Sequence, residues 1–350
     1  MTRTPLQDLR QRAGQLILRG FRGCSVANDA AVVTDLQQRN LGGVILFDVD
    51  GPSGSGERNI ESPPQVRTLT DRLRVASGGP PPLIAIDQEG GRVARLKERW
   101  GFPATRSAGE LGSGGDPDVT ESVVGALADT LVAAGINLNL APVVDVDVWG
   151  DNPIIGSKDR SFSTDPEEVA AHAGAFIRAH RDRGILTCLK HFPGHGSSRD
   201  DSHVGFTDVT LTWSRDELIP FVNLLELGLI DAVMTAHVYN AAFDDTHPAT
   251  LSPTMINGLL RDELGFDGVV ISDDLGMGAI SKQFGFAEAV ARSLEAGVDL
   301  LLLANQTAYE DDITERTVDL IIDLVTSGRL PEGRVDEAAE RVLRLRERLT

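Results

Sequence analysis

The segment that decides the fold runs from residue 185 to residue 205 and reads ILTCLKHFPGHGSSRDDSHVG. Residues 185–189 are apolar or β-branched, which is typical of a short buried strand. The sixteen residues that follow contain one lysine, three histidines, two aspartates and three glycines. Pro193 excludes a regular helix in this part, and the glycines and serines indicate a long loop. Chemically active side chains are therefore expected where a buried strand ends.

The same kind of apolar run recurs along the chain and predicts about eight strands. The runs are residues 16–18, 43–47, 83–86, 136–140, 186–189, 232–234, 268–271 and 300–303. Segments with apolar residues three and four positions apart lie between them, as in helices. This alternation predicts a parallel α/β sheet, and the number of units predicts a single (β/α)8 barrel of the TIM type. We expect one domain over residues 1–350, with a charged helix at about 335–349 packed outside.

Polar side chains fall at or just beyond the carboxyl ends of these predicted strands. They are Asp87, Asp145, Lys190, His191, His237, Asp273 and Asn305. Each one alone is compatible with strand termination or helix capping. In a barrel, however, the carboxyl ends of all strands surround one site. The sequence therefore predicts that these side chains converge.

The composition excludes several kinds of partner. The formal net charge of -19 argues against binding to nucleic acid or to anionic membranes. No stretch approaches the ~20 apolar residues of a membrane span, and the first residues lack the pattern of a signal peptide.

Cys24 and Cys188 are the only cysteines, so a disulfide framework is not expected. We therefore expect a cytoplasmic protein. The glycine-rich residues 51–56 lack the lysine and the helix start of a P-loop and are interpreted as a flexible loop, and no cofactor is expected.

Two further stretches follow predicted strands and carry carboxylates. Residues 271–277, ISDDLGM, deliver two adjacent aspartates, of which one can face the site while the other caps a helix or holds a neighbouring group. A carboxylate in this position can act as a nucleophile on an anomeric carbon. Residues 87–95, DQEGGRVAR, combine a carboxylate with two arginines, a pairing suited to sugar hydroxyls. Helix capping and a structural ion pair are the alternatives for these two stretches.

Several motifs, in this order, resemble those of glycoside hydrolase family 3, and specifically its single-domain β-N-acetylglucosaminidases. They are DQEGGRVAR, NPIIG followed by RSF, KHFPGHG followed by DSH, MTAH and SDDLGM. The similarity covers residues 16–303, nearly the whole predicted barrel. It implies a retaining, exo-acting β-N-acetylhexosaminidase that acts on terminal N-acetylglucosamine. The substrates that it suggests are cell-wall glycan fragments, as in peptidoglycan recycling.

The resemblance also implies a role for individual residues. Asp273 matches the nucleophile, His203 the general acid/base, and Asp201 the partner that orients it. The positions that match sugar-binding residues are Asp87, Arg95, Arg160, Lys190 and His191. His237, Asp145 and Asp274 are further candidates for the site. The loop that carries Asp201 and His203 must fold over the substrate, opposite Asp273.

Other functions remain open from the residues alone. His191, His195, Asp200, Asp201 and His203 include enough ligand types for a zinc-dependent hydrolase, although Pro193 and Lys190 argue against a metal site. A barrel that binds sugar without turnover, a broader β-glycosidase, and a phosphorylase that uses phosphate in place of water are the other candidates. The sequence does not fix the oligomeric state, and a monomer is the default expectation.

Overall fold

A computed structural model describes residues 5–27, 30–54, 58–202 and 205–349. Within these residues, eight strands form one parallel sheet. They are β1 (Ile17–Gly20), β2 (Gly43–Leu46), β3 (Leu83–Ile86), β4 (Leu138–Asn139), β5 (Leu186–Phe192), β6 (Ala232–Thr235), β7 (Val269–Ile271) and β8 (Leu301–Leu303). Each strand lies at an apolar run predicted from the sequence. β5 is longer than expected, so Lys190 and His191 belong to the strand itself.

Helices alternate with these strands in the described part of the chain. They are α1 (Pro5–Gln15), α2 (Ala31–Gln38), α3 (Pro63–Ala76), α4 (Ala108–Gly112), α5 (Pro117–Ala134), α6 (Pro166–Arg181), α7 (Ile219–Glu226), α8 (Gly278–Ser281), α9 (Phe286–Ala296), α10 (Ile313–Thr326) and α11 (Glu332–Glu347). A π-helix at Thr254–Glu263 occupies the segment between β6 and β7. Short 3-10 helices lie at Glu98–Trp100, Gly156–Lys158, Arg215–Leu218 and Ala249–Leu251. None of the helices described is long and apolar enough to span a bilayer.

Side-chain caps mark where several of these helices begin. Ser62, Asp116 and Asp165 accept a hydrogen bond from a backbone N–H in the first turn of α3, α5 and α6. Such a bond satisfies one of the backbone donors that a helix leaves unpaired at its start. Gly135 ends α5 with a φ of 74°, a left-handed conformation that glycine adopts without strain. These local signals fix where α3, α5 and α6 begin and where α5 ends.

The sheet curls until its two ends meet. Neighbouring strands pair in sequence order from β1 to β7, and β8 pairs with β1. On the other side of β8, Leu300 forms a parallel bridge with Ile271 of β7. The N–H of Ser272 also donates to the carbonyl of Leu300 at 3.0 Å. The prediction of a (β/α)8 barrel is therefore confirmed.

The strands separate two apolar cores. Alternate residues point outward and pack against the helices, as Val44 and Leu46 of β2 do. The residues between them, such as Ile45, point inward and fill the barrel. Because the inside is packed with aliphatic side chains, it is a solid core and not a channel. Polar chemistry is thereby restricted to the ends of the barrel.

The C-terminal helix α11 closes the amino-terminal end of the barrel. Val342 and Leu345 belong to the same apolar cluster as the inward residues of the strands. Arg346, which is fully buried, donates to the carbonyls of Pro80 and Pro81 just before β3, at 2.5 and 3.0 Å. Burial lowers the pKa of Arg346 to about 10. One face of α11 therefore lies against the barrel mouth.

A buried aspartate fixes α11 to the sheet. Asp299 is fully buried directly before β8 and accepts hydrogen bonds from Arg261 at 2.6 Å and from Arg334 at 2.7 Å. Arg341 of α11 lies 3.4 Å from the same carboxylate. The backbone N–H of Val270 donates to it at 3.0 Å. Three guanidinium groups thus share one anion that has no contact with solvent.

We expect Asp299→Ala to lower the free energy of unfolding by about 3–5 kcal/mol, because it leaves buried guanidinium groups without their anion. Chemical denaturation at neutral pH measures this change. Asp267→Ala is the matched control, because Asp267 also binds Arg341 but its side chain is 77% exposed. The control should cost less than about 1 kcal/mol. Equal losses in the two variants would contradict the central role of Asp299.

Candidate active site

A cavity of about 310 Å³ lies at the carboxyl ends of the strands. Its lining includes six of the predicted site residues, namely Asp87, Arg95, Arg160, Lys190, His191 and Asp273. Asp274 lines it too. The charged lining residues Asp87, Glu89, Arg95, Arg160, Lys190 and His191 are called the charged wall below. The apolar lining residues, called the apolar wall, are Ile45, Phe47, Met234, Met277, Leu302 and Ala304. A cavity lined by both charged and apolar side chains suits a ligand that carries hydroxyl groups as well as an apolar face.

Asp87 is held between two cations at the end of β3. Lys190 Nζ donates to one carboxylate oxygen at 2.8 Å, and Arg95 Nη2 donates to the other at 3.1 Å. Burial pushes the pKa of Asp87 up, but Lys190 and Arg95 outweigh burial and hold that pKa well below its usual range. Asp87 therefore stays ionised and can accept hydrogen bonds from a ligand.

Glu89 is the main member of the site that the sequence prediction missed. It forms a two-pronged ion pair with Arg160, with both N–O distances at 2.7 Å, and lies 2.7 Å from Lys190 Nζ. Burial raises its pKa, but Arg160 and Lys190 outweigh burial and hold the pKa of Glu89 at about 2. Glu89 thus fixes two cations of the charged wall. The sequence feature that could have identified Glu89 is its position two residues after Asp87, beyond the end of a strand.

Asp145 lies behind His191 and orients it. One carboxylate oxygen is 2.6 Å from His191 Nδ1, and the other accepts the backbone N–H groups of His191 at 3.1 Å and of His195 at 2.8 Å. Burial pushes the pKa of Asp145 up, but His191 and its N–H donors hold that pKa below its usual value. This contact with Nδ1 orients the ring, whose Nε2 lies 3.5 Å from Arg160 Nη2. Asp145 therefore acts through His191.

The two adjacent aspartates after β7 have different surroundings. Asp274 Oδ1 accepts the backbone N–H groups of Ala304 at 2.9 Å and Gly276 at 3.2 Å. Its own N–H donates to Asp273 Oδ1 at 2.8 Å. Asp274 thus organises the turn, and this turn directs Asp273 into the cavity. Both aspartates line the cavity, and the role of nucleophile predicted for Asp273 stays a prediction.

His237 supports this turn from behind. Its Nδ1 is 2.8 Å from Thr250 Oγ1, and its Nε2 donates to the carbonyl of Asp274 at 3.0 Å. The ring is 1% exposed. Asn305, another residue predicted from its strand-end position, bonds with the backbone of Glu310 through both side-chain atoms. Both residues therefore shape the backbone around the site.

The loop after β5 is described only in part. Asp201 is half-buried, and His203 lies outside the described residues. His195 Nε2 is 3.0 Å from Ser202 Oγ, so the start of the loop contacts its later part. Among residues 5–27, 30–54, 58–202 and 205–349, no group of three His, Cys, Asp or Glu side chains is arranged to hold a metal ion. The roles predicted for Asp201 and His203 stay predictions.

Glu217 is a second carboxylate that the sequence prediction did not single out. It lies in the 3-10 helix before α7 and is 1% exposed. The backbone N–H groups of Gly196 and Ser197 donate to its Oε2 at 3.0 and 3.4 Å. Burial nevertheless raises the pKa of Glu217 to about 7, and the charge of Asp145 acts in the same direction. A glutamate inside a predicted amphipathic helix gives no sequence signal for such a contact.

Comparison with known proteins places these features in a family context. A family model described as the glycosyl hydrolase family 3 N terminal domain matches residues 8–345. Beta-hexosaminidase A of Pseudoalteromonas piscicida is 32% identical over 340 residues, which cover 90% of this chain and 54% of that protein. Beta-hexosaminidase of Tolumonas auensis is 38% identical over 300 residues, which cover 84% of each.

A solved structure shares the fold closely. It is that of a glycoside hydrolase family 3 beta-N-acetylglucosaminidase from a Paenibacillus species, with a TM-score of 0.88 and 36% sequence identity. The match covers 97% of this chain and 62% of that one. The chain thus spans about half the length of the Pseudoalteromonas relative and less than two thirds of the Paenibacillus structure.

We expect Glu89→Gln to lower the free energy of unfolding at pH 7 by about 3–5 kcal/mol, because Arg160 and Lys190 lose a buried anion. The folded pKa of Glu89, about 2, lies below its unfolded value, so its contribution is complete above about pH 4.5 and is lost as pH falls through 2. The difference from wild type should therefore shrink in acid. Denaturant titrations between pH 7 and pH 3 measure it, with the exposed Glu98→Gln as control.

Glu217→Gln should have the opposite pH dependence. The folded pKa of Glu217 is raised to about 7, so the wild-type carboxyl opposes folding increasingly as pH rises from about 4.5 through 7. Glutamine does not titrate. The variant should therefore gain stability relative to wild type over this range, by up to about 3 kcal/mol. Thermal unfolding at pH 5 and pH 8 tests this, and the exposed Glu226→Gln should show no such trend.

Proposed function

This chain belongs to glycosyl hydrolase family 3, and we propose that it is a retaining exo-β-N-acetylglucosaminidase. The resemblance drawn from the sequence motifs is thereby confirmed at the level of the family. One observation carries the proposal: Asp273 lines the same cavity as the charged wall of Asp87, Lys190 and Arg160. A carboxylate that can act as a nucleophile and a set of groups that can bind a sugar thus line one space of ligand size.

The charged wall is suited to hold a sugar ring. Asp87 is ionised and accepts from hydroxyl groups, while Arg160, Lys190 and His191 supply further polar contacts. Each of these side chains is fixed by an ion pair or hydrogen bond before any ligand arrives. Little reorganisation is then needed on binding, which favours orientation of the anomeric carbon toward Asp273.

The proposed chemistry is a double displacement. The Asp273 carboxylate attacks the anomeric carbon while the bond from that carbon to the leaving oxygen breaks, and His203 gives its proton to that oxygen. His203 then takes a proton from water, the water oxygen bonds to the anomeric carbon, and Asp273 leaves. Two inversions retain the β configuration. Asp201 orients His203, and both of these roles rest on the family resemblance.

The size and character of the cavity support the substrate. A volume of about 310 Å³ is at the low end for small-molecule sites and fits one terminal sugar unit, which favours exo action. The apolar wall of Phe47, Met234 and Met277 offers a surface for the methyl group of a 2-acetamido substituent. Relatives named Beta-hexosaminidase point to the same sugar. We propose that the natural substrates are fragments of cell-wall glycan in the cytoplasm.

Nitrophenol release from the 4-nitrophenyl β-N-acetylglucosaminide, compared with the β-glucoside, tests the proposal. We expect activity on the first sugar and little on the second. Asp273→Ala should lose activity on the order of 10³-fold or more, because it removes the carboxylate that forms the covalent intermediate in the proposed reaction. Asp274→Asn is the matched control, because it keeps the accepting oxygen that organises the turn, and it should lose much less.

Product analysis separates the remaining alternatives. Proton NMR of the first product should show the β anomer, as double displacement requires. The same product should form with and without inorganic phosphate. A sugar 1-phosphate as the main product would replace hydrolysis by phosphorolysis, and equal activity on both sugars, or full activity of Asp273→Ala, would refute the assignment.

A further inference from the structure

We propose that Glu217 is a positioning residue for the loop that carries the general acid/base. It holds the backbone at the start of this loop, at residues 196 and 197, and so directs the chain that leads to Asp201 and His203. This inference rests on the proposed function. Glu217 is not among the residues that line the cavity, so its effect on the reaction must pass through the loop.

The start of the loop is held from two sides. On one side, Glu217 Oε2 accepts the N–H groups of Gly196 at 3.0 Å and Ser197 at 3.4 Å. On the other side, Asn152 Nδ2 donates to the carbonyls of His195 at 2.8 Å and Gly196 at 2.9 Å. Donors and acceptors of the same two peptide units are thus bound by separate side chains. Backbone groups that are buried and bound in this way have one orientation.

The packing leaves no room for another path at this point. A Cβ on Gly196 would lie 1.6 Å from the carbonyl oxygen of Val146, and a Cβ on Gly194 would lie 2.7 Å from Glu217. Gly194 also has a φ of 124°, which other residues rarely adopt. The glycines that the sequence places around His195 therefore bring the backbone directly against Glu217 and its neighbours.

Glu217 itself is rigidly placed. Ser214 caps its 3-10 helix, and Trp213 Nε1 donates to the carbonyl of Pro193 at 3.0 Å. Phe221, on the next turn, packs edge to face on Phe192 of β5 with ring centres 5.4 Å apart. Both ends of the segment that carries Glu217 are therefore tied to β5 and to the turn after it. The Glu217 carboxyl therefore holds residues 196 and 197 in a fixed position relative to the barrel.

Beyond residue 198 the loop is held at other points, and the carbonyl of Asp201 accepts the N–H of Gly205 at 3.1 Å. Ser202 contacts His195 through its hydroxyl, and its carbonyl accepts the N–H of Ala279 at 3.3 Å. The side chains of Arg199 and Asp200 are exposed. A change of direction at residues 196 and 197 then shifts the residues that follow them in the chain, Asp201 and His203 among them. Proton transfer is sensitive to such a change, because it requires hydrogen-bond distance to the leaving oxygen.

The contact needs an acceptor oxygen and does not need a charge. Both N–H groups donate to the same oxygen, Oε2. The amide oxygen of glutamine can accept both bonds in the same place, whereas alanine offers no acceptor. Loss of the contact leaves two buried N–H groups unpaired, and these will seek other partners by moving the loop. Glutamine should therefore restore what alanine removes.

The leaving group of the substrate makes the test specific. A 2,4-dinitrophenolate departs without protonation, whereas the sugar alcohol released from N,N′-diacetylchitobiose needs a proton from the general acid. We expect Glu217→Ala to lower kcat/KM for the disaccharide by on the order of 10–100-fold, and for the dinitrophenyl β-N-acetylglucosaminide by less than about 3-fold. Glu217→Gln should restore the ratio of the two values to that of wild type.

The ratio of the two kcat/KM values in one sample does not depend on how much of the protein is folded. Glu226→Ala, on the exposed side of α7, is the matched control and should keep the wild-type ratio. Equal losses on both substrates, no loss, or a ratio that Glu217→Gln fails to restore would overturn the positioning role. A wild type that cleaves neither substrate would overturn the proposed function and this inference together.

Discussion

The cost of burying charge without a partner determines where each functional group of this protein lies. The inside of the barrel is filled by aliphatic side chains, so ions are excluded from it. Charged groups occur at the two ends, and there they are paired: Asp299 with its arginines at one end, and Asp87, Glu89, Arg160 and Lys190 at the other. The same rule that stabilises the scaffold thus also assembles the charged wall of the site.

This pairing fixes the positions of the side chains that form the charged wall. Glu89 and Asp87 each neutralise cations that would otherwise repel one another across a short distance, and Asp145 holds the ring of His191 in place. Because these partners hold the side chains in place, the site has its final arrangement before the substrate binds. Fixed dipoles and charges of this kind act without reorganisation when charge develops in a reaction. The supporting carboxylates are therefore as important as those that face the cavity.

The barrel and much of the site could be predicted from the sequence, because both depend on local patterns. Apolar runs mark the strands, and polar residues at their ends mark the face that carries the cavity. Contacts between distant segments could not be predicted in this way. Glu89 has its role because it meets Arg160 and Lys190, and Glu217 has its role because it meets residues 196 and 197. The placement of α11 over the barrel mouth likewise depends on how the strands curl. A charged helix in sequence gives no sign that Val342 and Leu345 will enter the barrel core.

The closure of the barrel by its last elements has a consequence for synthesis. β1 pairs with β8, α1 packs against α10 and α11, and α11 completes the core at the amino-terminal mouth. β1 is therefore translated almost 300 residues before β8, the strand that pairs with one of its two edges. Until β8 and α11 emerge, the edge of β1 and the open mouth of the barrel stay exposed to other chains. Chaperones that shield nascent polypeptides would act mainly during this interval.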